Sequence, residues 1–195
     1  WLFLNWIPSY FLHQYQLDIK KSAIFASGVF FAGVVGDTVG GIVSDRILKQ
    51  TGSVSKARVS VIVVGFLGAF LFMLPVLFVT DLLTITLCLS GAFFFAELIV
   101  APIWAVPMDI APQHSGTASG FMNFGFGLAG MISPVVFGAV IDATGRWDLP
   151  FVASLGLLLL GAVLALRMRP DEPFLDEVET PPPVVTAPAA VRPSA

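Results

Sequence analysis

Residues 82–106 read LLTITLCLSGAFFFAELIVAPIWAV. A helix of ~20 apolar residues crosses a hydrocarbon core of roughly 30 Å, so this run is long enough to span a bilayer. A single carboxylate, Glu97, interrupts it. An acid at that depth is costly unless it is paired, wetted or protonated, which marks Glu97 as a functional position. Pro102 follows on the next turn and frees the carbonyl of Leu98, one residue from the acid. Freed backbone at membrane depth is tolerated only where it is buried in protein or lines a wet cavity. The stretch therefore describes a membrane helix with a break, an acid and an indole (Trp104) close together.

Composition places the rest of the chain in the same class. It has 195 residues, of which 56% are hydrophobic and 12% charged. Soluble domains carry about 25% charged residues. A net charge of −3 and the lack of a basic stripe exclude nucleic acid as a partner. The lone Cys88 allows neither an internal disulfide nor a cysteine metal cluster. No H-E-x-x-H, G-x-S-x-G or phosphate-cradling loop is present, so no enzyme chemistry and no cofactor are expected. His13 and His114 fall on opposite membrane sides and cannot share a metal.

Full spans are expected at 22–43, 59–79, 82–106, 115–141 and 149–166, preceded by an apolar, aromatic partial span from Trp1 to Tyr15. That first segment reaches only about 22 Å as a helix, so the chain is expected to begin inside a span. Arg46, Lys49, Lys56, Arg58, Arg167 and Arg169 lie on one side if the connectors alternate; Lys20, Lys21 and Arg146 lie on the other. The positive-inside bias makes 44–58, 107–114 and the C-terminus cytoplasmic. From 169 to 195 the sequence turns proline-rich and acidic and is expected to be a disordered cytoplasmic tail.

Helical spacing puts Ser90, Phe94, Glu97, Ala101, Trp104 and Met108 on one face. Glu97 is either a proton-coupling residue or is bonded to another helix; Trp104 either lines a cavity or packs. On the following span Gly116, Gly120, Asn123, Gly127, Gly130, Pro134 and Gly138 form a seam of small residues, which lets helices approach closely. Asn123, set in that seam, must find a ligand or a neighbouring helix. In the opening segment Trp6 and Tyr10 are one turn apart, with Asn5 and Ser9 beside them, a surface that suits a sugar-like substrate or the water interface. Gly36 and Gly40 make a close-approach motif. Asp37 either joins the polar network with Glu97 or is held by a neighbour such as Thr38. Asp45 and Arg46 could form a cytoplasmic gate; an acid at a helix C-terminus opposes the dipole, so Asp45 should have a partner.

Several of these segments carry a family resemblance. Gly40-Gly41-Ile42-Val43-Ser44-Asp45-Arg46 is similar to the loop motif of the major facilitator superfamily in its second-half copy. Pro107-Met108-Asp109-Ile110-Ala111-Pro112, Gly116-Thr117-Ala118-Ser119-Gly120-Phe121-Met122-Asn123-Phe124-Gly125 and Trp6-Ile7-Pro8-Ser9-Tyr10 resemble that superfamily's anion:cation symporters, which include hexuronate and galactonate permeases. The resemblance covers 1–168. It implies an all-α, polytopic transmembrane helical bundle: the C-terminal six-helix half, helices seven to twelve, with the first helix truncated. One departure is Ile47-Leu48-Lys49, where a denser basic run is usual.

By the same resemblance the chain is one half of a secondary transporter that works by alternating access in a bacterial inner membrane. The implied activity is proton-coupled symport of a sugar acid or other organic anion, with a proton or sodium gradient as the driving ion. Asn5, Tyr10, Trp104 and Asn123 would contact substrate, Glu97 and Asp37 would couple protons or form a polar network, and Asp45 and Arg46 would form a cytoplasmic gate. The implied partners are a small organic anion, the lipid bilayer and a missing N-terminal six-helix half that carries the substrate-clamping arginines. Other readings open on the same residues are a uniporter, a drug/proton antiporter, and a non-transporting membrane assembly subunit.

Overall fold

Gly52 and Gly145 adopt φ of 67° and 65°, the left-handed conformation that ends helices and that glycine accepts without steric cost. They terminate two long helices in the computed structural model, which describes residues 2–172 and side chains from Trp6 onward. The helices are α1 (Leu2–Gln14), α2 (Ile19–Thr51), α3 (Val54–Met73), α4 (Leu82–Glu97), α5 (Val100–Ile110), α6 (Ser115–Thr144) and α7 (Asp148–Ala165). A 3-10 turn, Leu74–Leu77, prolongs α3. No strand occurs among the described residues.

Side-chain caps fix three of the helix starts. The carboxylates of Asp18 and Asp81 and the hydroxyl of Ser53 accept from the backbone N–H of Lys21, Thr84 and Lys56, satisfying donors that a helix N-terminus leaves open. Hydrogen bonding from Thr84 holds the exposed Asp81 carboxyl below the usual carboxylate range. Five segments, Ile19–Thr51, Val54–Leu77, Leu82–Ile110, Pro112–Thr144 and Asp148–Ala165, are long and apolar enough to cross a membrane. They coincide with the five expected full spans.

One boundary differs from expectation. The basic connector expected over 44–58 is mostly helix: α2 runs to Thr51 and α3 starts at Val54, because Gly52 stops one helix and Ser53 caps the next. The break that Pro102 leads one to expect within 82–106 falls at Leu98–Ile99. Pro102 removes the amide that would bond the Leu98 carbonyl.

The freed carbonyl is covered by protein. A Cβ at Gly40 of α2 would collide with the backbone of Leu98, and one at Gly36 with the carbonyl of Phe94, a turn earlier. The Gly36/Gly40 motif thus brings α2 directly onto the backbone of α4 at its break. At Gly65 and Gly68, α3 makes comparable contact with Ile99 and Phe95.

The principal core holds Ile7, Phe11, Val29, Met73, Leu89 and Phe93 from four helices and the 3-10 turn's approach. A smaller cluster of Ile62, Ile99 and Ala165 ties α3 to α7 and to the α4–α5 break. The seam of α6 behaves differently from the sequence expectation. Gly116, Gly120 and Gly127 have nothing within 4 Å of a would-be Cβ, and only farther along does Gly138 approach Trp6. Small residues permit close approach but do not specify a neighbour; among the described residues the first half of this seam packs against none.

Candidate functional site

Two acids meet where α2 crosses α4. A Cβ at Gly33 would run into the Phe93 ring and the Glu97 Cγ, so Glu97 lies against α2 at a glycine. Asp37 is one turn further along α2 from Gly33. Both side chains are half-buried. Neither forms an ion pair among the described residues. Thr38, the neighbour that could have held Asp37, donates its hydroxyl to the Val34 carbonyl instead, at 3.0 Å.

Trp104 meets α6. Its ring centroid is 6.5 Å from that of Phe126 on α6, tilted by 45°. Asn123, nearly one turn before Phe126, is exposed. The structure therefore groups Trp104 with the α6 segment that carries Asn123, and Glu97 with Asp37. No hydrogen bond or ring contact joins Glu97 or Asp37 to Trp104 or Asn123 among the described residues. Among the described residues, the buried Nε1 of Trp6 on α1 and Oγ of Ser133 on α6 find no hydrogen-bond partner. Buried polar atoms are nearly always bonded, so these two are contacts that a ligand's polar groups could satisfy.

Tyr10 is buried at one end of the bundle, its ring 5.1 Å from Phe151 and 6.1 Å from Tyr15. It stands with that aromatic cluster and not beside Trp104. Asn5 belongs to α1, but its side chain lies outside the described residues.

The opposite end is fastened by Arg58, which the sequence reading used only as a positive charge. Its Nε donates to Asp109 at 2.9 Å, and one terminal nitrogen donates to Ser44 Oγ at 2.8 Å and to Asp45 at 3.0 Å. Ser44 in turn donates to the Ala57 carbonyl. One guanidinium thus joins α2, α3 and α5. This supplies the partner expected for Asp45, though for another reason: α2 continues six residues beyond Asp45, so the acid answers a buried cation and not a helix terminus. Arg46, the other expected gate residue, is exposed and makes no ion pair among the described residues. Nearby, Asp171 accepts from the Ser55 amide at 3.0 Å and the Ser53 hydroxyl at 3.2 Å. These bonds hold its carboxyl below the usual range and fix the chain after α7 to the start of α3. The rest of the expected tail, from 173 onward, lies outside the described residues.

Apolar helices of membrane length, broken beside a carboxylate, define an integral, multi-pass α-helical membrane protein. Residues 1–193 match the Major Facilitator Superfamily, and the chain belongs to that superfamily. It is 48% identical over 170 residues to a probable sulfoacetate transporter of Cupriavidus necator, a match covering 87% of this chain and 40% of that protein. It is 31% identical over 186 residues to a hexuronate transporter of Bacillus subtilis, covering 92% and 44%. It is 30% identical over 185 residues to a probable galactarate/D-glucarate transporter of Pseudomonas putida, covering 89% and 40%. The chain thus spans less than half the length of these relatives. Their names are those of transporters, not enzymes, and are consistent with the anion:cation symporter type.

Proposed function

We propose that the chain forms helices seven to twelve of a secondary transporter that moves a small organic anion, a sugar acid or short sulfonate, by alternating access together with a proton. The observation that carries this reading is the Glu97–Asp37 pair: two carboxylates half-buried between spans, with no described cation to neutralise them. Such a pair can take up and release a proton at membrane depth, where an uncompensated charge is expensive. Trp104 and Asn123 offer an aromatic face and an amide for the carbon skeleton and polar groups of the substrate. Relatives named for sulfoacetate, hexuronate and galactarate support an anionic substrate. A sodium gradient is the alternative driving force. The partner half lies N-terminal to these helices, the membrane is a bacterial inner membrane, and the Arg58 end and C-terminus are cytoplasmic by the distribution of basic residues.

Competition in proteoliposomes containing the full-length carrier tests the substrate class. Uptake of labelled glucuronate should be inhibited by galactarate and sulfoacetate and be indifferent to lipophilic cations. Inhibition by cationic drugs without inhibition by carboxylates or sulfonates would identify an antiporter of another class.

A further inference from the structure

At the end of the bundle away from Arg58, three connectors converge: residues 15–18, 78–81 and 145–147. They surround a cavity of about 460 Å³, within the ~300–1,000 Å³ typical of small-molecule sites. Buried Tyr10, Val76 and Phe151 line its interior. Tyr15 and Trp147 are also in the lining, with ring centroids 6.1 Å and 6.5 Å from Tyr10. The Tyr15 hydroxyl donates to the Thr80 carbonyl at 3.1 Å, which ties the end of α1 to the 78–81 connector and steadies that wall.

The charged group in this lining that can receive an anion is Arg146. The left-handed Gly145 ends α6 and turns the chain there, leaving Arg146 exposed beside the cavity. Its guanidinium grips Asp148 with two bonds, Nε to Oδ1 at 3.1 Å and a terminal nitrogen to Oδ2 at 2.6 Å. That fork is the geometry a ligand carboxylate or sulfonate would take, so Asp148 occupies the position of a ligand's own anion. Both side chains are exposed, 62% and 43%, so water and salt screen the pair and an incoming anion can exchange with Asp148. Asp81, whose charge reaches Tyr15, disfavours an anion on the 78–81 side and directs the charged end toward Arg146.

We infer that this cavity is a second binding site, an entrance vestibule where an organic anion rests its carbon skeleton on the aromatic wall and its charge on Arg146, in competition with Asp148. The inference rests on the proposed transport of organic anions and adds a site distinct from the Glu97 and Trp104 region.

The test is the concentration dependence of glucuronate uptake by the full-length carrier, offered from the vestibule side, for Arg146→Gln and Asp148→Asn. Arg146→Gln should raise KM about tenfold, the loss of a charge-assisted hydrogen bond. Asp148→Asn, which removes the internal competitor, should lower KM. The opposite signs distinguish a binding role from loop bracing, since bracing would make the two variants fail alike. Parallel losses, or wild-type KM in both variants of an active carrier, overturn the vestibule alone. If the wild-type carrier takes up neither glucuronate nor sulfoacetate, the transport reading falls and the vestibule with it.

Discussion

Arg58→Ala should be severely destabilising, by about 3–5 kcal/mol, the range for breaking a buried ion pair by removing one partner. The side chain of Arg58 is 9% exposed and that of Asp109 20%, so removing the guanidinium leaves a carboxylate with little water to replace it. Asp45 is 64% exposed, and its part of the network should contribute only about 0–1 kcal/mol. The expected order of damage is therefore Arg58→Ala, then Asp109→Asn, then Asp45→Asn. Arg58→Lys should also be poor, because a point charge cannot reproduce a fork that reaches Ser44, Asp45 and Asp109 together. Thermal unfolding of the full-length protein in detergent checks the order. An Arg58→Ala variant no less stable than Asp45→Asn would mean that the network does not hold α2, α3 and α5 together.

Glu97→Gln should abolish proton-driven accumulation while leaving exchange. Gln keeps the volume and hydrogen-bonding capacity of the side chain but carries no titratable proton. With one proton coupled, a pH gradient of one unit supplies ~1.4 kcal/mol, which sets a ceiling of about tenfold accumulation. The variant should lose that concentrating power, and counterflow, which needs no net proton movement, should persist. Asp37→Asn should give a weaker effect of the same kind, because Asp37 lies one turn along α2 from Gly33, where Glu97 is seated. Undiminished accumulation in Glu97→Gln, measured with labelled glucuronate, removes this residue from the coupling step.

Features set by nearest neighbours along the chain were readable without coordinates. The apolar runs gave the spans, Pro102 gave the break at Leu98–Ile99, and the Gly36/Gly40 spacing gave a helix face bare enough to meet the α4 backbone. The Glu97–Asp37 association was legible only as one of two alternatives for Asp37, since nothing local says that Gly33 seats Glu97 against α2 a turn away. Arg58 was missed because a basic residue near a span end already has an adequate explanation in membrane topology. Its signal was an overlooked conjunction: Asp45 needing a cation and Asp109 set among apolar residues and prolines. The placement of Tyr10 depends on three connectors meeting in space, which periodicity does not encode. The α6 seam misled for a simpler reason, because spacing reports which residues share a face and not what covers it.

In the full-length carrier these helices should border a polar path reachable from water beside Glu97, Trp104 and Asn123. Single cysteines placed at those positions in a cysteine-free, full-length background, treated with a small membrane-impermeant thiol reagent, examine it directly. All three should react far faster than cysteines at the exposed apolar positions Leu160 and Val163 of α7, and saturating glucuronate should slow the reaction at 104 and 123. Reactivity at 97, 104 and 123 as low as at 160 and 163, unchanged by substrate, would contradict the account.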